Sequence, residues 1–256
     1  MLRAILLALL LSAPLPALTS PALAQPALVA ELAETTVEIT TGFTGASILV
    51  FGTTARPISA TPAATPGDEI LIVATGPVQP MVVRRKIRVL GFWLNGPSAT
   101  FPNVPGYYAI AGTRAPWEML AEPDRQERRL GLDTLPLRAR GGQASPAFRA
   151  ALLDLKQQDG LWAEQVAPVA VSGGQLFNAR LPLPATVATG EYAVQVLLVR
   201  QSRVVARQEL IFNVQRVGTA ASINALARQQ PALYGLLCIA IAAFAGWFGS
   251  VVFRRG

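Results

Sequence analysis

Ala232-Leu-Tyr-Gly-Leu-Leu-Cys238-Ile-Ala-Ile-Ala242-Ala-Phe-Ala-Gly246-Trp-Phe-Gly-Ser250-Val-Val-Phe253 is the stretch whose reading decides the architecture. It contains no Asp, Glu, Lys or Arg. As a helix rising about 1.5 Å per residue it reaches about 33 Å, enough to cross a bilayer core of about 30 Å. Arg228 stands before it, and Arg254 and Arg255 close it. The expected order at this end is a juxtamembrane linker over 219–231, a transmembrane helix over 232–253 and a cytoplasmic tail over 254–256. Everything from about Gln25 to Arg228 is then a body tethered through its C-terminus.

The other end of the chain fits that reading. Met1-Leu2-Arg3 is a short basic opening, and Ala4 to Leu11 is apolar. Pro14, Pro16 and Pro21 break the run, and Ala22-Leu23-Ala24 has the small-x-small form of a signal-peptidase site. A signal peptide over 1–24 follows, because the apolar run is too short to span. An uncut first membrane helix is the alternative. Cleavage would export the body. In a bacterium that predicts a periplasmic domain on a single-pass anchor in the inner membrane. Arg254 and Arg255 would then face the cytoplasm, as the positive-inside rule prefers.

The region 25–218 reads as mainly β. Gly 21 and Pro 20 point to many turns. Thr36–Thr40, Ala46–Thr53, Glu69–Thr75, Met81–Leu94, Tyr107–Thr113, Ala163–Val171 and Gln175–Leu181 read as strands. Glu69–Thr75 is apolar enough to be buried on both faces. Asn95-Gly96 supplies an expected turn after Met81–Leu94. Tyr192, Val194, Val196 and Leu198 alternate along one arm of a last hairpin. Val204, Ala206, Leu210, Phe212 and Val214 alternate along the other, with Gln208 the one break and Gln201-Ser202 the turn. A helical insertion over about 116–160 interrupts the strands. Pro123 divides its first helix, Arg138 to Gly142 reads as an exposed loop, Ser145-Pro146 starts the second helix and Gly160 ends it. The sum is about nine strands in an immunoglobulin-like β-sandwich with a helical insertion.

Composition narrows the chemistry. The net charge is +7, from Lys+Arg 22 against Asp+Glu 15. Nucleic acid is a poor partner for an exported body with no recognisable binding motif. Anionic headgroups or an anionic solute suit it better. The one cysteine, Cys238, lies inside the span, so export brings no intrachain disulfide. There is no histidine, the commonest general base and metal ligand. The expectation is therefore no metal, no cofactor and no enzymatic activity.

Two groups of residues stand out. Arg84, Arg85, Lys86 and Arg88 are a candidate site for an oxyanion or a headgroup, because arginine offers a planar fork. The competing reading of the same residues is a solvated strand face, whose charge deters edge-to-edge aggregation. Cys238, Ala242, Gly246 and Ser250 recur every fourth residue in the span, where small side chains admit a close partner helix. The acidic residues Asp68, Glu69, Glu118, Glu122, Asp124 and Glu127 lack the spacing of a calcium loop, and Glu118 and Glu122 have Arg125, Arg128 and Arg129 nearby to pair.

The segments GFTGASILVFG (42–52), VVRRKIRVLGFWLN (82–95), PGYYAIAGT (105–113), GEYAVQVLLVR (190–200) and LYGLLCIAIAAFAGW (233–247) together resemble an uncharacterised transmembrane protein family of alphaproteobacteria. The resemblance covers most of the mature chain. It implies an exported domain and one C-terminal span, and it associates such chains with membrane permeases of the sulfite-exporter kind. It names no catalytic residue. The expected role is an accessory or interaction subunit beside a membrane protein such as a transporter, reached through the bilayer and through a permease or a second copy of the span. The alternative is a tethered receptor for an anionic ligand or headgroup, and a more distant one is an enzyme of unknown type.

Overall fold

The computed structural model describes residues 26–59, 67–140, 146–218 and 226–253. The expected signal segment, Ser145 and the tail lie outside the described residues. Eleven strands are present: β1 (Leu28–Leu32), β2 (Thr36–Ile39), β3 (Gly45–Thr54), β4 (Glu69–Thr75), β5 (Val78–Val89), β6 (Phe92–Pro105), β7 (Tyr108–Gly112), β8 (Ala167–Ser172), β9 (Leu176–Pro184), β10 (Gly190–Arg200) and β11 (Arg203–Arg216). Helices α1 (Pro116–Met119), α2 (Glu122–Glu127) and α3 (Pro146–Gln158) lie between β7 and β8, and α4 (Pro231–Phe253) ends the described chain. The chain is mainly β with one C-terminal apolar helix, as the sequence predicts.

Nine of the strands form one curled sheet in the order β1-β3-β9-β8-β7-β4-β10-β11-β2. Its halves meet at a short parallel ladder, where Ala111 pairs with Ala167 and Gly112 with Pro168. The curl brings β11 back towards β1. There the Gln208 side chain accepts from the Ala30 N–H at 2.8 Å and donates to the Ala30 carbonyl at 2.7 Å. Gln208, the break in the alternation, thus replaces a missing strand-to-strand ladder. It satisfies two backbone groups of a residue that is fully buried. This order establishes a curled sheet and does not establish immunoglobulin-like connectivity.

The halves fold over one hydrophobic core. β4 is buried along Ile70 to Ala74, and β7 along its whole length, so both faces of each strand are covered. The helical insertion adds Met119, Leu130, Phe148 and Leu152 to the buried core. Pro123 does divide the first expected helix, into α1 and α2. Gly160 follows α3 in the left-handed region at φ +69°, the usual helix stop. At one end of the sheet Tyr192 stacks on Phe212 at 5.0 Å, with Tyr107 at 5.9 Å.

The sequence reading of 81–94 as one strand is corrected. The chain reverses at Leu90-Gly91, with Val89 opposite Phe92, so the region is a hairpin of β5 and β6. Leu90 and Gly91 have φ +49° and +88°, as a two-residue primed turn requires. Asn95-Gly96 lies inside β6, where the register shifts between Arg84 and Lys86. Glycine is needed there for space: a Cβ on Gly96 would lie 2.8 Å from Ile87 Cγ2 and 3.1 Å from the Arg85 carbonyl. The same dipeptide that makes turns here makes a bulge. β1 carries no expectation in the sequence reading, and Pro182 and Pro184 lie within β9 instead of after it.

Candidate functional site

The β5–β6 hairpin is separate from the main sheet. Its lower half is packed, with Val83, Ala99, Phe101 and Val104 buried. Thr100 and Arg140 form a backbone bridge there, and the Arg85 guanidinium lies 5.8 Å from the Phe148 ring of α3. Above that level the hairpin is free. Lys86 pairs with Asn95, Ile87 with Leu94, Arg88 with Trp93 and Val89 with Phe92. Opposed side chains share a face. One face therefore carries Arg84, Lys86 and Arg88 with Trp93, and the other carries Ile87, Val89, Phe92 and Leu94. Arg85 lies on the apolar face at the root, held against Phe148. The four basic residues read together in the sequence are thus a row of three and one apart. At the tip Leu90 is 93% exposed, Phe92 73% and Trp93 66%.

The hairpin springs from a defined end of the sheet. Thr75, which precedes it, pairs with Ala193, and Gly190 pairs with Val214 near the end of β11. The hairpin and the segment leading to α4 therefore leave the body at the same end.

A second feature lies at the hairpin root, a cleft of about 610 Å³. Its walls come from β4, the hairpin root, β7, β10 and the loops around the 3-10 turn Leu132–Thr134. Arg128, Arg129, Arg138 and Arg140 are all among its lining residues. No Asp or Glu lines it. Hydrogen bonds to the backbone hold both arginine segments. The buried Tyr108 hydroxyl donates to the Arg129 carbonyl at 2.9 Å and accepts from the Gly131 N–H at 2.8 Å. Burial pushes that hydroxyl up to about 12. Arg129 itself is left-handed, at φ +58°. In the second segment the Arg140 N–H donates to the Thr100 carbonyl at 2.7 Å. Leu135 and Leu137 are buried while Arg138 and Arg140 are exposed, so alternation aims the arginines outwards.

The nearby acids are engaged elsewhere. Arg125 is buried and binds Glu122 through Nε and Nη2 at 2.8 and 2.9 Å, and Asp133 through Nη1 and Nη2 at 2.7 and 2.5 Å. Its hydrogen bonds hold both carboxyls below their usual range. Of the three arginines expected to pair on this helix, Arg125 does so, and Arg128 and Arg129 face the cleft. Asp68 is buried and takes a two-pronged contact from Arg200 at 2.6 and 2.7 Å, while Glu69 binds Arg114 at 2.6 Å. These carboxylates have structural partners.

α4 is long and apolar enough to cross a membrane, and none of its most hydropathic window is buried in the body. A core helix of this composition would be covered. Cys238, Ala242, Gly246 and Ser250 fall on one exposed face, and a Cβ on Gly246 would meet nothing within 4 Å.

The row Arg84, Lys86 and Arg88 was legible because strand alternation shows it. The cleft was not, since Arg129 and Arg140 are held by Tyr108 and Thr100, which lie far from them in the chain. No curated protein matches the chain. A family model described as "Putative transmembrane protein (Alph_Pro_TM)" matches residues 27–255, which takes in the β body, the hairpin and α4 together. The chain belongs to that transmembrane protein family.

Proposed function

We propose that this is a non-enzymatic, membrane-anchored interaction subunit, exported to the periplasm, held by α4 and acting beside another membrane protein such as a transporter. The observation that carries the reading is the free half of the β5–β6 hairpin. Leu90, Phe92, Trp93 and Leu94 are large apolar side chains left in water at a tip that nothing among the described residues covers. Burying each against a partner would contribute about 1.5–3 kcal/mol. The basic row beneath suits a partner with an acidic rim. The hairpin also leaves the body at the end from which the chain continues to α4, which favours a partner held in the same membrane. The small-residue face of α4 is where a helix of that partner would pack.

The test is a photo-cross-linking residue placed at Phe92 in the full chain in native membranes. A single adduct with an integral membrane protein, lost when Leu90 and Trp93 are changed to Asp, supports the reading. Adducts with lipid alone, with a second copy of the chain, or with nothing overturn it.

A further inference from the structure

We propose that the cleft at the hairpin root is a binding site for an organic oxyanion, a small molecule or headgroup that carries a phosphate-type group. This goes beyond the interaction role, and it places anion recognition away from the basic row of the hairpin.

Four guanidinium groups stand around one concavity, and the lining holds no carboxylate to neutralise them. None of Arg128, Arg129, Arg138 and Arg140 has an ion pair among the described residues. Of the carboxylates in this stretch of chain, Glu122 and Asp133 are bound by Arg125, while Asp124 and Glu127 are not part of the cleft lining. Positive charge that lines a concave, partly apolar wall focuses its field into the cleft and raises the local concentration of anions. Each guanidinium presents a planar fork of donors that fits two oxygens at once, which a phosphate-type group supplies. All four arginines line the same cleft, so a ligand within it can meet more than one fork.

The walls are also preformed. The Tyr108 hydroxyl fixes the Arg129–Gly131 turn from below, and the Thr100–Arg140 backbone bridge fixes the other side. Ordering costs on binding are then confined to the arginine side chains. The rest of the lining selects for more than an inorganic ion. Pro136 and Leu135 give apolar surface, and Asn103 and Gln195 give neutral hydrogen-bonding groups. The volume of about 610 Å³ lies within the roughly 300–1,000 Å³ typical of sites for small organic ligands. A charged head between the arginines and a neutral body against the prolines would fill it.

The experiment is calorimetric titration of the full chain in a neutral detergent, with inorganic pyrophosphate as the probe of the anionic subsite. The expected result is saturable binding that weakens at least tenfold in Arg138→Gln/Arg140→Gln. Arg128→Gln/Arg129→Gln should show the same loss. Arg84→Gln/Lys86→Gln/Arg88→Gln should bind as the parent does. A short-chain phosphatidylglycerol that competes assigns the site to a lipid headgroup, and failure to compete assigns it to a soluble anion. Absence of saturable binding overturns the proposal, as does equal loss in the hairpin variant, which would mean unspecific attraction to basic surface. Because the interaction role is read from cross-linking at Phe92, either idea can fail alone.

Discussion

Gln208→Ala should loosen the curled sheet where β11 meets β1. The side chain makes two hydrogen bonds, both to Ala30, at 2.8 and 2.7 Å. Ala30 is fully buried, so water can replace them only in part. Leaving a buried donor or acceptor unpaired costs about 1–3 kcal/mol each. Two such groups set a range of about 2–6 kcal/mol, and partial entry of water at this margin puts the expectation near 2–4 kcal/mol. At about 2–4 °C per kcal/mol for a body of this size, the melting temperature should fall by about 5–15 °C. The assay is thermal and urea unfolding of the full chain in detergent, followed by near-ultraviolet circular dichroism. Gln208→Leu keeps the volume and should lose as much, which separates hydrogen bonding from packing. Gln208→Glu keeps the acceptor for the Ala30 N–H but sets a carboxylate against the Ala30 carbonyl, so it should not rescue. A fall below about 2 °C in both Ala and Leu variants would refute the claim that this residue joins the ends of the sheet.

Tyr108→Phe removes the hydroxyl between Arg129 and Gly131 and should cost about 1–3 kcal/mol in the same assay. The parent's Tyr108 is raised to about 12, so its contribution is complete below about pH 10 and lost between about pH 10 and 12; the variant should show less alkaline loss over that window. Arg125→Met should cost about 1–3 kcal/mol, less than the roughly 3–5 of an interior pair, because the carboxylates it leaves are more than half exposed and stay solvated. Glu122 and Asp133 are held below their usual values, so their contribution is present above about pH 4.5 and lost as the pH falls through the lowered values; Arg125→Met should flatten that acid limb. Leu90→Asn should leave stability unchanged or raise it by up to about 1 kcal/mol, since Leu90 is left-handed and almost fully exposed; slower amide exchange in the hairpin would show it, and faster exchange would contradict it.

Much of the fold was legible because single strands announce their own burial. Ile70–Ala74 is apolar throughout and is buried on both faces. Tyr192 to Leu198 alternates and faces the core at those positions. Gln201-Ser202 is a turn, with both residues at positive φ. What failed was partner choice. Leu90-Gly91 lacks the Asn or Asp that marks a primed turn, while Asn95-Gly96 carries that mark and serves as a bulge. Gln208 looked like a lapse in the pattern because its role depends on where β1 lands, far away in sequence. The same limit hid the cleft. Arg128–Arg129 and Arg138–Arg140 each read as surface charge, and the Tyr108 and Thr100 contacts that hold Arg129 and Arg140 at one cleft come from residues far off in the chain. The signal available in the sequence was weak: two pairs of arginines, one on either side of a 3-10 turn.

The pairing of β2 with β11 has a consequence in time. Val37 lies beside Val214, so one of the first strands made waits for the last. At about 5–20 residues per second a ribosome needs about 10–40 s to cover that interval. Until then Val37 has no neighbour on that side, and Ala30 lacks the Gln208 side chain. The body cannot close until β11 is delivered, a short distance before the apolar helix itself. The nascent domain is thus open for most of its production, with long-range contacts that form late and slowly. Truncations before Arg203 should give species that aggregate or are degraded, while loss of α4 alone leaves every strand its partner.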